Sequence, residues 1–370
     1  MTDSPPVLNA KRALALAAFV LVAALRPAAR SSAALLPIEH HSVVVTLSRF
    51  GGAVLFGVAA CFVSFRTLAV LSAAGCGLAF LAFALTNLST LAWLSLPLLA
   101  FGGALEVASY MLVLNSIESS GRHERTWWLL KDALVWVALL FGSSLSLVFL
   151  RGGGFFSCAL LVAIALFQAE AASPAPHVGR RPSLLLLGAG CAVSLALSVL
   201  AFSINQSLLA GTGAGLFVVG SILGELMLLN AVGLSASVLP KPVSTWPLVG
   251  WILVGAAPLL PLAILVDVPV LAAVSGASNG SVATASSLLL LAFLRPLPQR
   301  LQPLALASWL CITPLIEGAV ERCGDSFGPP AAPRIVLSLA AVTLVLAAGL
   351  ALLRASRVEG EALSGPPSGR

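Results

Sequence analysis

Charge is the scarcest property of this 370-residue sequence. Only 9% of its residues are Asp, Glu, Lys or Arg, whereas soluble domains carry about 25%. Hydrophobic residues make up 59% of the chain and the mean hydropathy is +1.04. This composition excludes a soluble globular protein, and it excludes a disordered one, which needs low hydrophobicity and high net charge. The sequence therefore predicts an integral membrane protein.

Sequence motifs for chemistry are also missing. The six cysteines form neither a CxxC pair nor a Cys/His cluster, and no GxxxxGK[ST], HExxH or GxSxG string occurs. We therefore expect no enzyme activity, no catalytic residue, no metal and no cofactor. The net charge of +6 is spread singly and in pairs over short loops, without a basic run, so we expect no nucleic-acid partner.

Apolar runs long enough to cross a bilayer recur along the chain, and a spanning helix needs roughly 20 such residues. An all-α architecture of twelve transmembrane helices follows. We place the helices at residues 13–37, 43–64, 67–86, 90–116, 128–150, 153–170, 184–208, 212–239, 247–266, 269–294, 303–321 and 333–355.

The basic residues orient these helices. With both termini cytoplasmic, 14 of the 20 Lys and Arg residues fall on the cytoplasmic side, as the positive-inside rule requires. In this arrangement Arg49 counts as an outer residue and Lys131 as an inner one. We expect a monomer that spans the plasma membrane or a bacterial inner membrane many times, with the lipid bilayer around it.

The middle of the chain carries its only long polar, Pro-rich stretch. Basic residues recur across this stretch, since Arg66 and Lys241 are 175 positions apart, as are Arg125 and Arg300. This regular spacing of basic residues favours two six-helix repeats related by an axis along the membrane normal. The predicted division is an N-terminal half at 1–168, a cytoplasmic linker at 169–183, a C-terminal half at 184–357 and a disordered tail at 358–370.

Six plus six helices around a central cytoplasmic loop resemble the major facilitator superfamily over residues 11–357. The string Leu25-Arg26-Pro27-Ala28, followed by Leu35-Leu36-Pro37, is similar to the first helix of the cyanate and nitroimidazole transporter branch. The resemblance implies a secondary transporter. The loop between the second and third helices departs from the superfamily, because Ser64-Phe65-Arg66-Thr67 replaces its usual basic motif with a single arginine.

Charged residues inside membrane helices are functional candidates, because burying them is costly. Arg26 lies 13 residues into the first predicted helix, which is about 20 Å at 1.5 Å per residue. It is a candidate for binding an anionic group of a solute. Glu106 in the fourth helix lies on a face of small residues, where it could carry a coupling proton or neutralise Arg26 as a static ion pair.

The C-terminal half offers three further candidates. Glu225 follows Gly220-xxx-Gly224 and is a second candidate for proton coupling, although the glycine spacing is typical of close helix packing. Asn205 ends the seventh helix, and Asn279 lies in a small, polar stripe that includes Gly276, Gly280 and Thr284. Both asparagines are candidates for solute binding. The stripe has an alternative role in letting helices approach each other.

These residues lead to two hypotheses of different classes. The first is a secondary active transporter that moves a small, anionic organic solute by alternating access, with protons as the coupling ion. The second is a transport-inactive scaffold or sensor with the same fold, which the missing loop motif favours. Mid-membrane charges favour the first.

Overall fold

The structure is a computed structural model that describes residues 10–33, 41–85, 88–117, 123–148, 153–168, 184–208, 213–239, 244–262, 268–312 and 331–364. Within them, each of the twelve predicted helices has a helical counterpart. The first six are α1 (Ala10–Ala33), α2 (His41–Ala59), α3 (Phe65–Leu85), α4 (Leu88–Ser116), α5 (Glu124–Val148) and α6 (Gly154–Gln168). The others are α7 (Leu184–Leu208), α8 (Gly213–Val238), α9 (Thr245–Ala256), α10 (Pro269–Leu294), α11 (Gln302–Ile312) and α12 (Ala331–Ser364).

We expect this sequence to form helices in a bilayer, because a helix satisfies its own backbone hydrogen bonds where water is absent. Five of the described helices, α3, α4, α8, α10 and α12, are long and apolar enough to cross a membrane. Large apolar side chains such as Leu78, Phe156 and Trp251 are exposed. Outward-facing apolar side chains of this size are suited to lipid contact.

Several helix ends differ from the predicted ones. The hydroxyl of Ser64 accepts a hydrogen bond from the backbone N–H of Thr67, so Ser64 caps α3 and does not extend α2. The helix α5 begins at Glu124 rather than at residue 128. The helix α12 continues to Ser364, well into the tail predicted to be disordered, because Glu361, Ala362 and Leu363 are good helix formers.

The helices group into two compact units. The first contains Met1–Arg180 and Pro296–Cys311, and the second contains Arg181–Arg295 and Ile312–Arg370. The segment Pro296–Cys311, predicted as part of the C-terminal half, groups with the first unit, where the Cα of Leu304 would lie 2.8 Å from a Cβ on Gly57. The predicted linker at 169–183 lies outside the described residues.

The same helix pairs pack within each unit. In the first unit α1 packs on α4, α2 on α4, α3 on α4 and α3 on α6. In the second unit α7 packs on α10, α8 on α10, α9 on α10 and α9 on α12. Each pair in the second list is the corresponding pair in the first shifted by six helices. This correspondence is the pattern of two six-helix repeats.

Glycines bring the second and fourth helices of each repeat into backbone contact. In the first unit, a Cβ on Gly52 would lie 1.7 Å from the carbonyl oxygen of Ala100. In the second, a Cβ on Gly224 would lie 2.1 Å from the carbonyl oxygen of Ala277, and Gly220, Gly276 and Gly280 make equally close contacts. The predicted packing role of Gly220-xxx-Gly224 is therefore confirmed.

Candidate functional site

Within the first unit, α1 and α4 face each other along one line of side chains. Arg12, Phe19 and Arg26 are seven residues apart, which places them on one face of α1. On α4, Arg12 Nε donates to the carbonyl oxygen of Ser116, Phe19 packs edge-on against Tyr110 with ring centroids 4.8 Å apart, and Arg26 pairs with Glu106. The helices therefore run in opposite directions with their polar residues in register.

The Arg26–Glu106 contact belongs to a three-residue ion cluster. The Nη2 of Arg26 donates to Oε1 of Glu106. The Nε of Arg49, on α2, donates to the other carboxylate oxygen at 3.0 Å, and Nη2 of Arg49 donates to that oxygen as well. The side chain of Glu106 is 6% exposed, whereas those of Arg26 and Arg49 are 29% and 32% exposed. The carboxylate is thus buried beneath two partly exposed guanidinium groups.

A glycine sets the position of Arg49. A Cβ on Gly103 would lie 2.0 Å from the carbonyl oxygen of Arg49, so only glycine allows α2 to approach α4 at this point. Glu106 follows Gly103 by one helical turn and therefore lies beside the same segment of α2. The close approach of the two backbones explains how Arg49 reaches the carboxylate.

A second cluster lies one turn further along α4 and is built around Lys131 on α5. The Lys131 side chain is fully buried, and its Nζ lies 4.3 Å from the ring centroid of Trp128, 4.7 Å from that of Tyr110 and 5.6 Å from that of Phe19. The ammonium group donates to Oδ1 of Asp132. The three rings offer their negative faces to the ammonium group, and the carboxylate balances its charge. This is how an ammonium group can be buried without the full cost of losing water.

Known proteins resemble this chain in their fold. Neither a known protein family nor a curated protein matches the sequence. Solved structures do match. FucP, described as a major facilitator superfamily transporter and as the E. coli fucose:proton symporter, is 14% identical, with a TM-score of 0.61 over 92% of this chain and 98% of its own. The chain has the major facilitator superfamily fold. A bacterial homologue of the iron transporter ferroportin is 15% identical, with a TM-score of 0.66 over 94% of this chain and 100% of its own.

In this facilitator fold, two of the predicted site residues meet. Arg26 and Glu106 form an ion pair, which is one of the two alternatives that the sequence left open for Glu106. The resemblance to the cyanate and nitroimidazole branch stays a prediction.

The other predicted site residues belong to the second unit. The side-chain amide of Asn279 donates to the hydroxyl of Ser221 at 3.5 Å, at the contact between α8 and α10. Glu225 is buried on α8. Asn205 lies in the last turn of α7, and its side chain lies outside the described part of the chain. Their roles in binding and coupling stay predictions.

The polar stripe on α10 makes mostly internal contacts. Gly276 and Gly280 pack against the backbone of α8, and the Thr284 hydroxyl donates to a carbonyl of its own helix. The hydroxyls of Ser275 and Ser278 donate to the carbonyls of Leu260 and Ala256 in the α9 segment. These contacts favour the helix-packing alternative for this stripe. No group of residues suited to a metal ion occurs among the described residues.

Arg49 and Lys131 were not predicted as site residues. Arg49 is the ninth residue of α2 and Lys131 the eighth of α5, so neither lies in a loop. The count of basic residues assigned each to the nearer membrane face, although the predicted helices at 43–64 and 128–150 contained them. One signal was present for Arg49: it lies seven residues inside a run of apolar and small residues that begins at Val43.

Proposed function

We propose that this protein is a secondary transporter that moves a small organic anion across a membrane by alternating access. The observation that carries the proposal is the Arg26–Glu106–Arg49 cluster, in which two guanidinium groups share one carboxylate. The cluster has a formal charge of +1 and lies inside a unit of apolar helices. A charge inside a membrane costs several kcal/mol. A function that uses the charge explains why the cluster contains it.

The geometry of the cluster fits an anionic ligand. The Nε of Arg26 is buried and has no hydrogen-bond partner among the described residues, so one strong donor is unused. Guanidinium groups bind carboxylates and phosphates through paired hydrogen bonds, which an ammonium group cannot do with the same geometry. An anion that reached Arg26 and Arg49 from their exposed side would neutralise the surplus charge.

The contacts of Glu106 are those of a residue that holds other side chains in position. It accepts hydrogen bonds from two guanidinium groups, and its burial beneath them holds both arginines in place. This arrangement favours the ion-pair alternative over the proton-carrier alternative for Glu106. We propose that Glu106 orients the arginines and that an incoming anion competes with it for their donors.

The rest of the proposal extends to the second unit. Asn205 and Asn279 would contribute neutral hydrogen-bonding groups to the solute, and Glu225 would be a candidate for exchanging a coupling proton. Both termini would be cytoplasmic, in a plasma membrane or a bacterial inner membrane, and the protein would work as a monomer. The similar protein FucP is a fucose:proton symporter, which supports proton coupling as a proposal for this chain.

The test is uptake by proteoliposomes from a panel of radiolabelled small carboxylates, phosphate monoesters and sulfonates. We expect at least one of these anions to accumulate. Arg26→Met and Arg49→Met should each lower its uptake about ten- to a hundredfold, because a hydrogen bond between charged groups contributes about 1.5–3 kcal/mol. Arg354→Met is the matched control, since Arg354 is exposed on α12 in the second unit and does not belong to the cluster. Equal uptake by all three variants would refute the role of the cluster.

The alternative of a transport-inactive scaffold predicts a different result in a labelling experiment. With the six native cysteines replaced, a single cysteine at position 205 is labelled with a membrane-impermeant thiol reagent from each face. A transporter should react from both faces, with a ratio that one anion of the panel shifts. Reaction from one face only, with no effect of any anion, would support the scaffold.

A further inference from the structure

The Lys131–Asp132 pair is the strongest unexplained feature of the first unit. A fully buried lysine is rare in any protein and costly within membrane helices. Three aromatic rings from α1, α4 and α5 surround its ammonium group, and these helices pack on one another. Close packing alone would be served better by an apolar residue of the same size. The retention of the charge requires another reason.

Asp132 is incompletely bonded. Its Oδ1 accepts from Lys131, whereas its Oδ2 is buried and has no hydrogen-bond partner among the described residues. Unmade hydrogen bonds to buried charged groups are expensive, so the unpartnered carboxylate oxygen requires an explanation, and the binding of a proton at that oxygen supplies one. The Asp132 side chain is 22% exposed, so the pair is not completely enclosed by protein. A proton is small enough to bind at a buried oxygen with no rearrangement of the helices.

Tyr110 places this pair beside the anion site. Its ring contacts the Lys131 ammonium group, and its residue lies one turn from Glu106 on α4. Tyr110 interacts electrostatically with Asp132 and also with Arg26, Glu106 and Arg49, so it lies between the pair and the ion cluster. The two clusters are therefore close enough for a charge in one to change the energy of a charge in the other.

The charges of the two clusters make anion and proton binding cooperative. Arg26, Arg49 and Lys131 contribute three positive charges, and Glu106 and Asp132 contribute two negative ones. When no anion is bound, a proton added to Asp132 would raise the net charge of the two clusters from +1 to +2, which is unfavourable. With a monovalent anion bound to the arginines, the same proton would return the net charge of the two clusters to +1. By thermodynamic linkage, each ligand then favours the other equally.

We propose that Asp132, held by Lys131 among Phe19, Tyr110 and Trp128, takes up one proton together with each anion that binds at the Arg26–Glu106–Arg49 cluster. The proton leaves a hydronium ion, forms an O–H bond at Oδ2 and leaves a water molecule behind; release reverses these steps. This inference rests on the proposed function, because it assigns the coupling site of the same transport cycle. It identifies the protein as an anion:proton symporter.

The first test compares two modes of transport for the same panel of anions in proteoliposomes. Asp132→Asn keeps the size of the side chain and the oxygen that accepts from Lys131, but the carboxamide cannot exchange a proton. We expect this variant still to exchange labelled for unlabelled anion at equal concentrations, because exchange requires no release of a proton. Accumulation driven by a pH gradient should fall to the level of empty liposomes. Glu124→Gln, in the first turn of the same helix, is the control and should keep both modes.

The second test detects the proton in the unmutated protein. The chain has four aspartates, Asp3, Asp132, Asp267 and Asp325, so carboxyl-labelled [¹³C]aspartate distinguishes their infrared bands from those of glutamate. Addition of a transported anion at constant pH should produce a ¹³C-shifted band of a protonated carboxyl group. The same difference spectrum of Asp132→Asn should lack it. The band of the unmutated protein remains measurable if Asp132→Asn fails to fold.

The outcomes separate the inference from the proposed function. If Asp132→Asn accumulates anion against a pH gradient as the wild type does, the coupling site is elsewhere and the inference is wrong, while the transport proposal stands. Loss of accumulation in Glu225→Gln alone would likewise overturn it in favour of Glu225. If the wild-type protein transports no anion of the panel, the proposed function fails and the inference falls with it.

Discussion

The substitution Glu106→Gln tests whether one buried carboxylate holds two arginines. Removing one partner of a buried ion pair costs about 3–5 kcal/mol, because the remaining charge is left uncompensated. Here the two guanidinium groups are 29% and 32% exposed, so both can recover some hydration, and the glutamine oxygen still accepts one hydrogen bond. We therefore expect a loss near the lower end, about 3 kcal/mol, which is about a hundredfold in the folding equilibrium.

The assay is equilibrium unfolding of the purified protein in lipid nanodiscs, followed by the fluorescence of the seven tryptophans. A double-mutant cycle identifies the cause. Because Arg26→Met removes one of the two charges that Glu106→Gln leaves unbalanced, the double variant should be more stable than the sum of the single effects by about 1 kcal/mol or more. The control is Glu124→Gln, a partly exposed residue, which should cost at most about 1 kcal/mol. A change below about 0.5 kcal/mol for Glu106→Gln, or strict additivity in the cycle, would show that Glu106 does not hold the two arginines.

Two further predictions concern local packing and capping. Gly103→Ala should destabilise the protein by about 1–3 kcal/mol and displace Arg49, since its Cβ would lie 2.0 Å from the Arg49 carbonyl oxygen. The neighbouring Gly102 has nothing within 4 Å of a Cβ, so Gly102→Ala should be neutral or stabilising; equal losses for both in thermal unfolding would contradict the close approach. Ser64→Ala should cost about 1 kcal/mol in the same assay by removing the bond to the Thr67 N–H, and an unchanged midpoint would show that the cap is irrelevant.

The fold was largely predictable because the bilayer constrains it strongly. Runs of about 20 apolar residues have few alternatives to the helix when no water is available. The repeat followed from the spacing of basic residues on either side of the polar stretch at 169–183. Helix ends were harder to predict, since polar residues such as Thr126 and Arg125 continue α5 toward its beginning without an apolar signal.

An end error explains why Lys131 was not predicted as a site residue, and a counting rule explains why Arg49 was not. Moving the beginning of α5 by four residues changes Lys131 from a boundary charge into a helix-interior one. Arg49 was placed by a counting rule for loops, although it lies within α2. Arg26 and Glu106 were found because each is far from any helix end. Contacts between residues of different helices depend on how each helix is rotated about its axis. The sequence pattern of a single helix does not determine that rotation.

Tyr110 offers an experimental advantage, because it is the only tyrosine in the chain and lies between the two charged clusters. Biosynthetic incorporation of 3-fluorotyrosine would therefore introduce a single fluorine nucleus, at this position, without a substitution. Its chemical shift would report the electric field between the anion site and the Lys131–Asp132 pair. Fluorine NMR of the unmutated sequence could then follow the arrival of anion and proton in one spectrum.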